Sequence, residues 1–434
     1  MANTKLTWTP SQNGTRTKFT FSFWVKRTGL SSGQSPIYSA DISDSNNTYS
    51  MIYFVNDVLA FYSTDNGQTL YFLTNQKFRD VNSWYHIVIA IDTTQATASN
   101  RVKFYVNGEQ ITSFDTASYP NQNIDNTWFN VTQQQVIGTR SYDNNTYFDG
   151  VISHFNFIDG TQYAASDFGS TDATTGEWKI NTSPNVNYGT NGFFILKDGN
   201  SVTDSSPNSN NWTVAGGTLT KTEDNPSNVF ATLNSLVNGD GSYSLTNGSN
   251  KFTGTGGNDH TFGTLGAIGG KFYYETKWVT NPDRCYAGFI PGELAHTLNT
   301  SEPPTNYFAG LYRDDYFMNV GNVNEGAYTN VSAGDIFGFA IDLSSSSGSR
   351  TLKTYKNGSL INTMTLSTSY ENDTWLPVLG DTSSTNGVIE CNFGNGYFGT
   401  TAVSSAGTNA SGNGIFEYDV PTGYTALSTK GLNL

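Results

Sequence analysis

The sequence is poor in charge and in long apolar runs. Charged residues make up 13% of the 434 residues, and 36 acidic against 22 basic side chains give a net charge of −14. An acidic surface repels phosphate backbones and anionic membranes, which argues against nucleic acid as a partner. No stretch approaches the roughly 20 apolar residues of a membrane helix, which argues against membrane insertion. The opening MANTKLTWTP lacks the apolar core of a signal peptide, so we expect synthesis in a cytoplasm without cleaved export.

Cysteine and histidine, which often carry nucleophilic catalysis or bind zinc, are scarce. The cysteines Cys285 and Cys391 and the four histidines form no recognisable zinc spacing, and we expect both thiols to be free. The sequence has no Gly-x-Ser-x-Gly elbow and no Glu-x-Asp-x-Glu run of a jelly-roll glycoside hydrolase. Glu417 and Asp419 alternate in FEYDV without a third acid, and we interpret them as surface charges. The sequence therefore predicts a protein that is not an enzyme.

Aromatic residues are abundant, at 14% of the chain, and Gly, Asn, Ser and Thr fill much of the rest. That composition is typical of β-strands joined by polar turns. In FTFSFWVK, aromatic residues alternate from Phe19 to Phe23 with the period that buries one face of a strand. SWYHIVIAID is apolar on both faces, which indicates a central strand and makes His86 structural. Short strands separated by turns throughout the chain predict sandwich or jelly-roll domains.

One local pattern occurs twice, at an offset of 250 residues. An AID triplet leads into VKFYVNG at residues 102–108, and another leads into LKTYKNG at residues 352–358. Asn-Gly between two alternating runs favours a type I′ turn, because that turn needs positive φ at both central residues. We therefore expect hairpin tips at residues 107–108 and 357–358.

Ordered sets of strands resemble two known families. The first half resembles a laminin-G-like, concanavalin A-like domain over residues 15–165, through FTFSFWVKR, WYHIVIAIDTT, KFYVNGEQI and YFDGVISHFNFIDG. The second half is similar to a SPRY domain over residues 268–430, through GKFYYETKW, YAGFI, AGDIFGFAIDLSSSSGSRTLKTYKNGSL, TWLPVLG, IECNFGN and GYTALST. Both families are antiparallel β-sandwiches. We therefore interpret the repeated hairpin as one local solution used by two modules, not as a tandem duplication.

The resemblance implies an all-β fold with two antiparallel β-sandwich (jelly-roll, concanavalin A-like) domains in tandem. We expect the laminin-G-like sandwich at residues 1–203 and the SPRY-like sandwich at residues 236–434. Residues 204–235 are rich in Ser, Asn, Gly and Pro, which predicts a connecting segment between the two domains.

Both halves and the joining PNSNNWTV and NPSNVFATLN stretches are similar to virion proteins of marine tailed phages. This resemblance implies a virion location after assembly in the host cytoplasm, as a tail fibre, capsid fibre or head-decoration protein. It also implies a homo-oligomer, contacts with other virion structural proteins, and recognition of a host-surface glycan or protein. Two alternatives stay open: a purely structural decoration or joint protein, and a polysaccharide-degrading fibre enzyme, against which the missing acid pairs argue.

Loops that combine aromatic, acidic and amide groups are the candidate ligand sites. An aromatic face packs on sugar C–H groups while polar side chains bind hydroxyls. We expect such contacts in loops, because the strand alternation predicts short polar residues on the outer sheet faces. Packing is the competing interpretation of every cluster. The candidate ligand-binding residues are Trp128, Tyr142, Asp143, Asn144, Asn145, Tyr147, Tyr312, Asp314, Asp315 and Tyr316.

No cofactor is required by this interpretation, but the laminin-G-like resemblance implies that a calcium ion is compatible with it. Such domains hold Ca²⁺ with Asp and Asn side chains and backbone carbonyls. DISDSNN and YDNN offer these oxygens, and the candidate metal ligands are Asp41, Asp44 and Asp143. Ordinary turn chemistry is the competing interpretation.

Overall fold

A computed structural model describes residues 3–30, 32–41, 48–65, 68–125, 127–237, 243–295, 297, 306–382 and 386–433. The chain divides into two compact units, unit 1 at Met1–Lys221 and unit 2 at Thr222–Leu434. Each unit pairs its strands into two large antiparallel sheets, so the fold is all-β with two β-sandwiches in tandem, as the sequence predicts.

Unit 1 is built from sixteen described strands. They are β1 (Lys5–Trp8), β2 (Lys18–Arg27), β3 (Ser35–Asp41), β4 (Tyr49–Val55), β5 (Val58–Asp65), β6 (Gln68–Lys77), β7 (Trp84–Asp92), β8 (Val102–Val106), β9 (Glu109–Ile111), β10 (Phe114–Ser118), β11 (Gln135–Ile137), β12 (Gly150–Asp159), β13 (Gly169–Thr171), β14 (Trp178–Ile180), β15 (Phe193–Ile195) and β16 (Thr213–Gly216). One sheet has the order β10-β6-β5-β4-β3-β11-β1-β16, and the other has the order β15-β12-β2-β7-β8-β9.

The core of unit 1 lies between these two sheets. Phe19, Phe21 and Phe23 of β2 are fully buried there, which confirms the alternation expected from the sequence. The outer face of the six-stranded sheet is also covered, because Phe168 and Phe194 pack against the apolar second face of β7. Double coverage explains why that strand is apolar on both sides.

Unit 2 is built from sixteen described strands and one short helix. They are β17 (Ser244–Thr246), β18 (Lys251–Thr253), β19 (His260–Phe262), β20 (Lys271–Thr280), β21 (Cys285–Pro291), α1 (Gly292–Ala295), β22 (Ala309–Tyr312), β23 (Tyr316–Asn319), β24 (Val323–Ala327), β25 (Ile336–Asp342), β26 (Thr351–Lys356), β27 (Ser359–Thr365), β28 (Trp375–Asp381), β29 (Val388–Asn392), β30 (Tyr397–Phe398), β31 (Thr401–Ala402) and β32 (Thr425–Ala426). One sheet has the order β17-β18-β29-β20-β25-β26-β27, with β32 beside β20, and the other has the order β19-β28-β21-β22-β23-β24. Within the described ranges no helix is long and apolar enough to cross a membrane.

The two units share one strand order. The run β12-β2-β7-β8-β9 of unit 1 corresponds to β29-β20-β25-β26-β27 of unit 2. In the facing sheets, β6-β5-β4-β3-β11-β1 corresponds to β24-β23-β22-β21-β28-β19. The chain visits the corresponding strands in the same sequence. The similarity between the units therefore extends from the repeated hairpin to both sheets. The sequence had predicted a similarity confined to the hairpin.

Both Asn-Gly pairs form the expected hairpin tips. Asn107 and Gly108 join β8 to β9 with φ values of 49° and 86°, and Asn357 and Gly358 join β26 to β27 with φ values of 47° and 82°. The Asn107 side-chain oxygen accepts a hydrogen bond from the backbone N–H of residue 86 at 2.7 Å. The Asn357 oxygen accepts one from the N–H of residue 336 at 2.9 Å, so the same device fixes both turns.

The predicted connecting segment, residues 204–235, is divided between the two units. Trp212 is buried in the core of unit 1, and β16 pairs with β1. Farther on, Phe230 and Leu233 are buried in unit 2. Polar turn residues surround these few buried apolar residues. The composition of the segment is therefore typical of a linker, although its apolar residues are packed in the two units.

Candidate functional site

Tyrosines line the outer face of the eight-stranded sheet of unit 1. Along β4 they alternate with core residues, and β5 and β6 place tyrosines on the same side. Successive side chains of a strand point to opposite faces, so the residues between core positions lie outside the sandwich. One further tyrosine reaches this face from the loop between β11 and β12. We call the set the tyrosine face: Tyr49, Tyr53, Tyr62, Tyr71 and Tyr142.

The rings of the tyrosine face contact one another. The centroid of Tyr49 lies 4.8 Å from that of Tyr62 and 5.1 Å from that of Tyr142. Tyr62 and Tyr71 meet edge to face at 5.7 Å. Tyr49 and Tyr53 are buried, whereas Tyr62, Tyr71 and Tyr142 are half-buried and keep part of each ring open to solvent. The three half-buried rings form an aromatic platform on a packed base.

The phenol groups of Tyr49, Tyr53 and Tyr142 stay protonated at neutral pH. Burial raises the pKa of Tyr49 to about 12, and the neighbouring Tyr62 and Tyr142 add to the rise. Burial likewise raises the pKa of Tyr53 and of Tyr142 above the ordinary tyrosine value. Protonated hydroxyls can both donate and accept hydrogen bonds, so the face can bind a hydroxyl-rich ligand without carrying charge.

Polar groups flank the platform at Tyr142. The Arg140 guanidinium lies 4.9 Å from the Tyr142 ring centroid and donates through Nε to Asp143 Oδ1 at 3.0 Å and through Nη1 to Gln34 Oε1 at 3.1 Å. A second bond joins Arg140 Nη2 to Asp143 Oδ2. Asn144 and Asn145 are exposed beside this pair. The loop thus offers amides next to a neutralised ion pair.

The other candidate residues of unit 1 serve packing. Trp128 packs against the inner core, with its indole Nε1 donating to the carbonyl of Thr64 at 2.8 Å and its backbone N–H donating to Ser50 Oγ at 2.8 Å. Tyr147 is half-buried and forms an isolated β-bridge with Thr139. Neither residue belongs to the buried outer cluster of the tyrosine face.

Short polar residues on the outer sheet faces were expected from the sequence, and for the eight-stranded sheet this expectation is wrong. Sequence reasoning missed Tyr62, Tyr71 and Arg140. The signal was present, because in MIYFV, residues 51–55, both alternating registers are aromatic or apolar. Such double registers indicate a strand covered on both faces, and the sequence could not show that the second face is only partly covered.

The candidate loop of unit 2 is packed more tightly than expected. Tyr312 is only 3% exposed, and its ring lies between Tyr286 at 6.2 Å and Tyr316 at 5.4 Å. The expectation of an exposed ring is therefore wrong for Tyr312, while Tyr316 is half-buried. Asp314 Oδ1 accepts from the N–H of residue 331 at 2.9 Å, and the Asp315 carbonyl accepts from that of residue 328 at 2.8 Å. Packing and turn chemistry account for this loop.

The structure describes two of the three expected calcium ligands of unit 1, Asp41 and Asp143. Asp44 lies outside the described residues. Asp143 is held by Arg140, and a guanidinium beside the carboxylate opposes binding of a divalent cation. Among the described residues of the whole chain, no three acidic, histidine or cysteine side chains converge. Asp41 and Asp143 therefore do not fit a calcium site by themselves, and calcium binding stays a prediction.

A buried serine and histidine meet in unit 1 without the geometry of a nucleophile and its base. Trp178 Nε1 lies 3.0 Å from His86 Nδ1, and His86 Nε2 lies 2.9 Å from Ser22 Oγ. Burial lowers the pKa of His86 to about 3, so the ring is neutral. Indole nitrogen only donates, so Nδ1 must accept and Nε2 must carry the proton. A ring that donates to Ser22 cannot remove its proton, and the group is structural.

The alternating acids of FEYDV are engaged in loop contacts. Glu417 Oε2 accepts from the N–H of Ser404 at 2.7 Å, and Asp419 Oδ1 accepts from the N–H and hydroxyl of Thr408 at 2.7 and 2.8 Å. These bonds lower the pKa of Asp419. A glycosidase acid needs a raised pKa, so Asp419 lacks the property that this acid requires.

Comparisons with known proteins found solved structures that are similar to parts of this chain. The solved structures that resemble the chain include a heptameric SAP-like pentraxin from Limulus polyphemus, at 16% identity over 45% of this chain and 86% of that one, with a TM-score of 0.30. Domains LG4-5 of the mouse laminin α1 chain match at 10% identity over 90% and 86%, with a TM-score of 0.30. The SPRY domain of human HERC1 matches at 17% identity over 34% and 91%, with a TM-score of 0.27.

Curated proteins give no match. A family model described as the concanavalin A-like lectin/glucanases superfamily, a laminin G type, matches residues 2–165. The chain therefore contains a laminin-G-like, concanavalin A-like domain at its start, as the sequence predicts.

Proposed function

We propose that this protein is a non-enzymatic virion protein of a tailed phage whose tyrosine face binds a glycan of the host surface. The observation that carries the binding is the platform of Tyr62, Tyr71 and Tyr142 beside the exposed amides of Asn144 and Asn145. The virion location, on a tail fibre, a capsid fibre or the head surface, rests on the sequence resemblance of both halves to phage virion proteins. Assembly takes place in the host cytoplasm.

The chemistry of the platform suits a sugar better than a protein. Aromatic rings pack against the C–H face of a pyranose, while phenol hydroxyls and amides bind its hydroxyl groups. The ion pair between Arg140 and Asp143 neutralises the charges nearest the rings, so a neutral ligand meets little desolvation cost. A glycan is therefore the ligand class that this face favours.

Binding at one such face is expected to be weak, because few rings and hydrogen bonds take part. In a virion the protein contacts other structural proteins and forms a homo-oligomer, so many copies face one cell. Linked sites raise avidity by about 10²–10⁴-fold without any new contact, provided that the geometry permits simultaneous engagement.

Titration of the purified full chain with host-envelope oligosaccharides, followed by tyrosine and tryptophan fluorescence, tests the proposal. Replacing Tyr62 and Tyr71 together by Ala removes two rings, and affinity is expected to fall about tenfold or more. Tyr62→Phe keeps the ring and removes only one hydroxyl, so it should lose much less affinity than the double variant. Tyr105→Ala is the matched control, because Tyr105 is a half-buried tyrosine of β8 in the other sheet.

Equal affinity in the wild type and the double variant would overturn the tyrosine face as the contact. A chain that binds no host glycan but still binds phage particles would favour the purely structural role. Release of reducing ends from host envelope would instead identify a hydrolase.

A further inference from the structure

Two buried aspartates lie opposite each other at one end of the six-stranded sheet of unit 2. Asp259 directly precedes β19 and Asp381 ends β28, and the Asp381 N–H donates to the Asp259 carbonyl at 2.9 Å. Opposed residues of an antiparallel pair place their side chains on one face. Cys285, opposite Asp381 on β21, belongs to the core, so this face is the inner one. Both aspartates are 0% exposed.

Within the described residues, each carboxylate accepts hydrogen bonds through one oxygen only. Asp259 Oδ2 accepts from the N–H of Thr255 at 2.7 Å and from its hydroxyl at 3.1 Å. Asp381 Oδ2 accepts from the N–H of Gly387 at 2.8 Å. The Oδ1 atom of each is buried and has no hydrogen-bond partner in the part of the chain that the structure describes. A buried polar atom left without a partner is costly, so two adjacent ones call for an additional group.

Both orphan oxygens lie against the same glycine-rich turn, residues 254–257. A Cβ placed on Gly254 would lie 2.4 Å from Asp381 Oδ1, and one placed on Gly257 would lie 3.4 Å from Asp259 Oδ1. The backbone of this turn therefore approaches both carboxylates closely, which a larger residue at position 254 would prevent. Backbone carbonyls of such turns are ordinary ligands of hard cations.

The charges around the pair are not balanced by the neighbouring side chains. Two acid side chains face each other here in the interior of unit 2. Within the described residues neither carboxylate forms an ion pair. A proton shared between them or a bound cation must supply the positive charge.

We propose that Asp259 and Asp381 bind one divalent cation, with Ca²⁺ preferred, and that the cation fastens the 254–257 turn to the sheet. Carboxylate and carbonyl oxygens are the ligands of Ca²⁺, which tolerates irregular geometry and takes six to eight of them. Mg²⁺ demands near-octahedral geometry, and Zn²⁺ in structural sites is bound mainly by Cys and His side chains, whereas this pair offers carboxylate oxygens. Two carboxylates without a third acid leave most positions to carbonyls and water, so the site should be weak, with a Kd of about 10⁻⁴–10⁻³ M.

Calcium titration of the chelator-treated full chain by calorimetry tests the site. The wild type should bind Ca²⁺, and Asp259→Asn and Asp381→Asn should each lose one equivalent. At a hundredfold excess over Kd, Ca²⁺ should raise the Tm of the wild type by roughly 5–10 °C and leave that of the Asn variants unchanged. Asp115→Asn is the control, because Asp115 is an exposed aspartate of β10 in unit 1 and this variant should keep the equivalent.

A shared proton would give a different set of results. Chelation and added Ca²⁺ would then leave the wild-type Tm unchanged, and Asp381→Asn, which resembles the protonated acid, would melt at the same or a higher temperature. Either result overturns the cation site. Binding that Asp143→Asn abolishes and Asp381→Asn retains overturns it as well. If the Asn variants fail to fold, calorimetric titration of the wild type still tests the proposal. A chain that binds none of Ca²⁺, Mg²⁺ and Mn²⁺ has no such site.

Discussion

The aspartate that ends each AID triplet shows how one residue fixes the same corner in both units. Asp92 accepts from the N–H of Thr94 at 3.0 Å and pairs with Lys18 at 3.4 Å. Asp342 accepts from the N–H of Ser344 at 3.0 Å and pairs with Lys271 at 2.9 Å. The triplet and its turn can be recognised in the sequence. The lysines cannot, because they lie on β2 and β20, which are distant along the chain and adjacent only in the sheet.

Replacing Asp342 by Asn should destabilise unit 2 in a pH-dependent way. Burial alone would raise the pKa of Asp342, but hydrogen bonds from Lys271, Ser344 and Ser345 outweigh it and lower the pKa to about 2. A lowered carboxyl pKa stabilises the fold above about pH 4, and this contribution is lost as the pH falls towards 2. We expect Asp342→Asn to lower the free energy of unfolding by about 2 kcal/mol at pH 7.

Urea unfolding at pH 7 and pH 3 measures this effect. The difference between the wild type and the variant should shrink at pH 3, because the Asp342 carboxyl takes up a proton in the unfolded chain while it stays mostly ionised in the fold. Asp115→Asn, at an exposed residue of β10, is the control and should change stability little at either pH. A pH-independent difference for Asp342→Asn would assign the loss to packing instead of charge.

Among the elements, the two Asn-Gly hairpins were the most predictable from the sequence. Their left-handed backbone follows from the dipeptide alone. The sequence could not show that an aromatic ring from a distant segment covers each glycine, Trp178 at Gly108 and Tyr418 at Gly358. The turn conformation depends on neighbouring residues, whereas the aromatic ring over each glycine comes from a segment that follows much later in the chain.

Replacing Gly358 by Ala should cost more stability than the same change at an open turn. The residue has a φ of 82°, and an added Cβ would lie 2.7 Å from Cδ1 of the Tyr418 ring. Gly321→Ala is the matched control, because Gly321 has a φ of 87° and nothing lies within 4 Å of the added Cβ. We expect about 1–2 kcal/mol for the control, from backbone strain alone. Gly358→Ala should cost about 1–3 kcal/mol more, because the ring must move.

Chemical denaturation of both glycine variants measures the two costs. Equal losses would mean that the Tyr418 ring shifts freely, so that the cover contributes nothing to the hairpin. A double variant with Tyr418→Ala should return the loss at position 358 to that of the control.

The sheets also show where strand patterns fail to identify a surface. Alternation located the core face of β2 and the central position of β7, because burial imposes a period of two. It did not locate the tyrosine face. A strand with two apolar registers has the same pattern whether its second face is fully covered, as on β7, or partly open, as on β4 to β6. The segments that cover the second face distinguish these cases: Phe168 and Phe194 on β7, and the Tyr142 loop on β4 to β6.

At the scale of the whole molecule, the sequence identified two sandwiches and missed how far they correspond. The 250-residue offset holds for a single hairpin, yet the strand orders of the two units agree across both of their main sheets. Loop lengths differ between the units, so their sequences cannot be aligned residue by residue outside the hairpin. The order in which the strands pair is nevertheless the same. Strand order depends on which surfaces must be buried together, and many sequences satisfy that requirement.

Charge provides the last test of the proposed function, because the chain carries a net charge of −14. An acidic protein is repelled by an anionic bacterial surface, so attachment has to come from stacking and hydrogen bonds at short range. The Debye length falls from about 10 Å at 0.1 M salt to about 3 Å at 1 M, which screens repulsion as well as attraction. Adsorption of the purified protein to host cells should therefore persist or strengthen between about 0.05 M and 0.5 M salt. The Tyr62 and Tyr71 double variant should adsorb poorly at every salt concentration, since its loss is one of contact area. Adsorption that fades steeply with salt would instead identify a basic patch as the contact and would remove the tyrosine face from that role.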